Sequence, residues 1–283
     1  MRDSSLGGAV RLCAQQELTV ALRSRWLQIF AVVFALLTLA VSASGYVLSG
    51  GAGIQDFGRT AASLLQLVLL IVPLASLVMG VLALTPEPGG AELLYAQPIP
   101  RGAVLAGSLL GLFEALAAAQ AIGFGAAGLL IFWESGDEGL QSFLLLVASS
   151  LVLTAIFLAL AAVVSVGQTG RRRVRALVRA LVLWLVLALV ADIAVLGVAT
   201  LLRSGNASRL LIVSSLLNPI DAIRTGALLG MEGTAAFGPA SLALLRFTGG
   251  ALTATVLVCA SAALWTAFPL AVAMRKLARI DIA

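Results

Sequence analysis

The chain has 283 residues, 61% of them hydrophobic and 11% charged, with a mean hydropathy of +1.09. A soluble domain is about 45–50% apolar and about 25% charged, so this composition excludes a soluble enzyme, a nucleic-acid reader and a disordered chain. Eighteen basic residues against thirteen acidic ones give a net charge of +5, there is no His, and every basic residue except Lys276 is Arg. Without His there is no HExxH zinc site, no Ser-His-Asp triad and no His-ligated haem. Cys13 and Cys259 lie far apart and form no CxxC pair, so they carry no redox or metal signature.

Residues 1–25 predict a helix lying at the membrane surface. Val10, Cys13, Ala14, Leu18 and Ala21 fall on one arc, and Arg11, Gln15, Gln16, Thr19 and Arg23 on the other, with Glu17 interrupting the apolar side. Six apolar stretches follow at 26–48, 60–84, 103–133, 140–167, 180–202 and 249–274, each long enough for a spanning helix of roughly 20 residues. Pro73 falls inside the second, where a neighbour must satisfy the freed carbonyl. Between the second and third, Pro86, Pro88, Gly89, Gly90, Pro98 and Pro100 bracket residues 92–97, which reads as turn, short helix, turn over 85–101. Glu134, Asp137 and Glu138 make an acidic loop, and Arg171, Arg172, Arg173, Arg175 and Arg179 a basic one.

Residues 203–248 are too apolar for a free loop, with Leu210, Leu211, Ile212, Val213, Leu216 and Leu217 in succession. A helix is expected to begin at Asn218-Pro219: Asn caps, Pro suits the first helical position, and Asp221 sits in the first turn where the helix dipole favours it. Asp221 and Arg224 are spaced to pair. The expected fold is therefore all-α: a polytopic integral membrane protein with one transmembrane domain over 1–283, six spanning helices and an N-terminal interfacial helix. Its expected medium is the lipid bilayer, not nucleic acid.

Thirteen of the basic residues fall on the side that carries both termini, the 85–101 segment and the Arg loop; Arg59, Arg203, Arg209, Arg224 and Arg246 fall on the other. Positive loops stay in the cytoplasm, so both termini and the 85–101 segment are expected inside and 203–248 outside.

A P-loop needs Gly-Lys followed by Ser or Thr. The one lysine, Lys276, follows Arg275, so this chain carries no P-loop, and any ATP-driven work would need a separate ATPase. Two acids lie inside apolar spans, Glu114 and Asp192. A mid-membrane carboxylate costs about 2.5–3.5 kcal/mol on insertion scales, which makes both candidate functional acids: a protonation site, a substrate contact or half of a buried pair. Each also has a structural reading, with Asp192 hydrogen-bonding another helix and Glu114 snorkelling to the interface. A secondary transporter using such a carboxylate is the alternative function class. Gln66 and Gln120 are expected to hydrogen-bond between helices. Gly107 and Gly111 form a GxxxG pair, which permits close helix approach. Asn218, Pro219, Asp221 and Arg224 mark either a well-capped exterior helix or a surface for an extracytoplasmic partner.

The lead-in Gln16-Glu17-Leu18 through Leu22-Arg23-Ser24-Arg25-Trp26 and the stretch Gly90-Ala91-Glu92-Leu93-Leu94, followed by Pro98, Arg101, Leu105 and Gly107, resemble the ABC-2 type permeases of ABC transporters. That resemblance implies an N-terminal elbow helix and a cytoplasmic coupling helix, with Glu92, Leu93, Leu94 and Arg101 as ATPase-coupling residues. It implies a homodimer in the cytoplasmic (inner) membrane, joined to ATPase subunits that bind ATP and Mg. It also implies that this chain is not itself an enzyme and holds no cofactor. Within the family, Ile122-Gly123-Phe124-Gly125, Trp184 with Asp192, and Leu216-Leu217-Asn218-Pro219 with Asp221 and Arg224 are similar to the permeases that serve nitrous-oxide-reductase maturation. This implies copper processing and a periplasmic accessory protein. Two positions depart from the family pattern: the region before Glu92 is rich in Pro and Gly, and Ser108 stands where the family often has lysine. No residue set here suits copper, since His is absent, the Cys are separated and Met is confined to Met1, Met79, Met231 and Met274. The chain is expected to transmit force or to move a sulfur or metal-carrier species.

Overall fold

Helix α1 (Leu6–Arg23) runs into α2 (Arg25–Ser49) through a single non-helical residue, Ser24. The Ser24 amide still reaches the Ala21 carbonyl and the Gln28 amide reaches the Ser24 carbonyl, so two backbone hydrogen bonds carry the chain across the break. This is a computed structural model that describes residues 6–49, 54–85, 99–135, 140–168, 172–202, 204–231 and 239–279. Further along lie α3 (Ile54–Leu84), α4 (Arg101–Ser135), α5 (Leu140–Ser165) and α6 (Arg173–Leu185). A π-helical turn (Val186–Val190) joins α6 to α7 (Ala191–Leu201), and α8 (Ser204–Leu217), α9 (Pro219–Gly230), α10 (Pro239–Thr248) and α11 (Ala251–Arg279) complete the chain. No strand occurs among the described residues.

Among the described residues six helical stretches are long and apolar enough to cross a bilayer: Arg25–Ser44, Thr60–Leu84, Arg101–Leu129, Leu140–Ser165, Arg173–Leu201 and Ala251–Arg279. The fifth starts in the Arg-rich stretch, ahead of the apolar run that begins at residue 180. Its early turns bury Ala176 and Ala180 while Arg172, Arg175 and Arg179 stay exposed. The segment at 92–97 lies outside the described residues.

Helix α5 is the centre of the bundle, packing on α3, α4, α9 and α11. Phe157, Leu153, Ile156 and Leu146 are buried against Leu64, Val68, Val72 and Leu77 of α3. Lipid tails are as apolar as these side chains, so close packing and hydrogen bonds hold the helices together. A Cβ built on Gly80 would fall 2.6 Å from the Ala161 Cβ, which shows how near α3 and α5 lie. Gln120 of α4 donates to Thr154 Oγ1 at 2.8 Å and accepts from Ser150 Oγ, so it does join two helices. Gln66 does not act as expected: it is exposed on the outer face of α3. At Pro73, which has no amide to offer the Leu69 carbonyl, support comes from one residue away: Trp184 Nε1 donates to the Leu70 carbonyl at 3.1 Å.

The GxxxG pair serves α1. Positions 107 and 111 of α4 form the seat for Val10, Cys13, Ala14, Glu17 and Leu18; a Cβ on Gly107 would strike Cys13, and one on Gly111 would lie 2.9 Å from the Glu17 Cβ. The N-terminal helix is thus bound along span three, at the end of the bundle where α4 begins and α11 ends. Met274 of α11 lies over Gly102, and Leu105, Ala162, Val166, Ala273 and Leu277 form a small apolar cluster there. This basic end is opposite the α8–α10 lobe.

Candidate functional site

The structure brings together residues that lie far apart in sequence. Asn218 caps α9, its Oδ1 accepting from the Ile220 amide at 3.1 Å. Its Nδ2 donates to the Leu187 carbonyl at 2.8 Å and to Asp221 Oδ2 at 3.2 Å. Leu187 lies within the π-helical turn, where the Ala191 amide reaches back to the Val186 carbonyl. The widened turn means that Leu187 does not receive the α-helical bond from Ala191. Such π turns inside α-helices recur at functional sites.

One turn beyond, Asp192 Oδ2 lies 2.7 Å from Arg224 Nη2, and the same nitrogen is 3.1 Å from Asp221 Oδ1. Two carboxylates therefore share one guanidinium, with side chains 25%, 14% and 31% exposed for Asp192, Asp221 and Arg224. Burial pushes the Asp221 carboxyl up to about 7; Arg224 opposes that shift, and the negative charge of Asp192 adds to it. With both acids ionised the cluster carries one excess negative charge, and one proton neutralises it.

Asp192, Asn218, Asp221 and Arg224 thus form one polar cluster bridging span five to α9. Pro219 is the buried first residue of α9 and Ile220 is buried in the main core. The helix is anchored further by Gly226, where a Cβ would fall 2.7 Å from Val258 Cγ1 of α11. Glu114 stands apart: it is exposed, midway along span three. Arg101 is the first residue of α4, also exposed, while Glu92, Leu93 and Leu94 lie outside the described residues. Among the described residues no three His, Cys, Asp or Glu side chains converge on a metal-sized site.

Two further polar features carry little signal in the sequence. Glu17, read as an interruption of the apolar arc, is set against α4 and hydrogen-bonded to Ser108, and burial raises its carboxyl above the ordinary range. An acid on the arc that faces a GxxxG pair was the available signal. Arg173, expected as one charge of a loop, is half-buried and its Nη2 donates to the Leu82 carbonyl at 3.1 Å. Nothing local in the sequence marks that contact, since Leu82 is 91 residues away.

Six apolar spans, an amphipathic helix bound to the third and a polar cluster where a returning helix meets the fifth define a polytopic all-α membrane protein. The family described as "ABC-2 family transporter protein" matches residues 12–282. The chain belongs to this family and is a permease subunit of an ABC transporter. Among its relatives is the "Probable ABC transporter permease protein NosY" of Pseudomonas aeruginosa, 35% identical over 258 residues that cover 89% of this chain and 93% of the relative. The protein of the same name from Stutzerimonas stutzeri is 34% identical over 244 residues, 81% of this chain and 85% of the relative. Family membership speaks against the secondary-transporter alternative.

Proposed function

We propose that this chain is the membrane half of a transporter powered by a separate P-loop ATPase, working as a homodimer in the cytoplasmic membrane with both termini inside. In this reading, ATP and Mg bind the ATPase subunits and not this chain. The absence of a Gly-Lys-Ser/Thr motif from the sequence, joined to membership of the ABC-2 family, is the observation that carries the proposal. The excess of basic residues on the side of α1, the starts of α4 and α6 and the end of α11 supports the orientation. Residues 92–97, with Arg101 at the membrane edge, serve as the coupling helix. Six residues are too few for a stable helix alone, and an ATPase groove would supply the missing burial.

We propose further that the transporter serves copper-centre maturation of nitrous-oxide reductase, with a periplasmic accessory protein docking near the α8–α10 lobe. The likeness of the 122–125 and 216–224 stretches to that subfamily and the NosY designation of both relatives support this reading. Complementation tests it: the chain, expressed with its own ATPase in a nitrous-oxide-reducing bacterium that lacks its NosY-type permease, should restore copper-loaded reductase. Reductase that stays without its copper centres, although the chain reaches the membrane and binds its ATPase, would contradict the copper role and leave the permease assignment intact.

A further inference from the structure

Span five is the most weakly packed of the six. From Leu181 to Leu201 none of its residues is buried. Its lower part, α6, packs on α3 and α5, whereas α7, beyond the π turn, packs on α8. Polar bonds supply what apolar packing does not. Near the basic end, Arg173 donates to the Leu82 carbonyl. Midway, Trp184 donates to the Leu70 carbonyl. Beyond these, Leu187 and Asp192 receive Asn218 and Arg224 of α9.

The placement of Arg173 is specific. Leu82 lies in the last turn of α3, where carbonyls have no helical partner and a cation is favoured by the helix dipole. Beyond that turn the chain leads into 86–98, the stretch that contains the proposed coupling helix. Arg173 is therefore the polar contact nearest the end of span two, beside the apolar packing of Ala176 and Ala180 on α3. From its middle onward, at Leu187 and Asp192, span five holds the α9 lobe through two side chains, Asn218 and Arg224.

From this geometry we infer that span five is a rod that carries displacement of the span-two end to the α8–α9 lobe, and that Arg173 is the positioning residue through which the rod is engaged. The inference rests on the ATPase-driven reading above. A longitudinal shift at Leu82 pulls on α6 through the guanidinium, and the π turn passes it to α7 together with the carbonyl of Leu187. Beyond Ala180 no residue of the rod is buried, so its upper part can move with little repacking, while Ala176 and Ala180 keep its lower part in register with the α3–α5 core.

The test uses the complex of this chain with its ATPase. Thr200, exposed near the end of α7, is changed to Cys in a background carrying Cys13→Ser and Cys259→Ser. Its labelling rate with a charged maleimide is measured in detergent, without nucleotide and with ATP plus vanadate. The ratio of the two rates should depart from one, and Arg173→Met should bring it back toward one by about 2- to 30-fold, the range of coupling changes seen for residues between linked sites. Arg173→Lys, which keeps a cationic donor, should retain most of the response. A residue that served stability alone would lower the melting temperature and leave the ratio unchanged. An undiminished ratio in Arg173→Met would overturn the inference. So would the absence of any nucleotide response at Thr200→Cys in a complex that hydrolyses ATP, a result that does not depend on the Arg173 variant assembling. Failure of any ATPase to bind would instead remove the functional reading on which the inference stands.

Discussion

Arg224 Nη2 lies 2.7 Å from Asp192 Oδ2, and this contact joins the intramembrane acid of span five to the helix capped by Asn218. The excess carboxylate is what gives the cluster its character. Asp221 already pairs with Arg224 within α9, so Asp192 enters a site whose cation is partly spoken for. Removing the cation leaves two acids facing each other, whereas removing Asp192 leaves a local pair.

The two removals should therefore differ. Arg224→Met is expected to cost about 1–3 kcal/mol of stability, less than the 3–5 kcal/mol typical of breaking a fully buried pair because these side chains keep some exposure. Asp192→Asn should cost about 1 kcal/mol or less, since an amide oxygen can still accept from the guanidinium. Thermal melting in detergent compares them, and equal losses would show that the ion pair does not organise the site.

The elevated Asp221 carboxyl fixes the sign of a pH effect. Between its ordinary value near 3.8 and about 7 the folded protein holds a proton that the unfolded chain has released. Stability must then fall as pH rises through that window. Glu17, also raised, acts in the same direction. The melting temperature should be higher at pH 5.5 than at pH 7.5, at roughly constant ionic strength. Asp221→Asn should flatten the slope without abolishing it, and a slope unchanged in that variant would assign the effect elsewhere.

Much of this fold could be read from hydropathy, because each span needs only length and apolarity and α1 needs only a two-sided arc. Span five shows the limit. A hydropathy reading starts it near residue 180, but the helix begins at Arg173, since Arg is a good helix former and Ala176 and Ala180 supply a buried side. Hydropathy reports what lipid accepts, not where a helix begins. Gln66 and Gln120 show another limit: both are amides in apolar helices, yet only Gln120 faces Ser150 and Thr154, and choosing between them requires knowing the neighbour. Asp192 and Arg224 are 32 residues apart; the individual residues stood out in the sequence, but their meeting depends on the π turn and the returning helix, which no short motif announces.

The seat of α1 on span three can be tested by adding volume. Gly111→Val would drive a side chain into Glu17 and Leu18 and should destabilise by about 1–3 kcal/mol, the usual cost of overpacking. Amide exchange across 6–23 should quicken. Gly125→Ala is the control, since nothing lies within 4 Å of the position a Cβ would take. Equal behaviour of the two variants would show that the glycine seat does not hold the N-terminal helix.

Orientation is open to labelling. In a background without Cys13 and Cys259, Ser135→Cys and Ser204→Cys should react with an impermeant maleimide added outside intact spheroplasts, whereas Ser24→Cys should react only after lysis. Reaction of Ser24→Cys in intact cells, with Ser135→Cys and Ser204→Cys protected, would invert the topology.

The central claim is that a partner ATPase drives this permease through the 92–97 segment, and co-purification tests it most directly. Affinity-tagged chain, expressed with a P-loop ATPase subunit of the ABC type, should retain that subunit in detergent and show vanadate-sensitive ATP hydrolysis. Leu93→Asp combined with Leu94→Asp should release the ATPase, or lower hydrolysis to the level of the free ATPase, while the permease still inserts. A wild-type chain that binds no ATPase, or a double variant that binds and hydrolyses as the wild type does, would contradict the account.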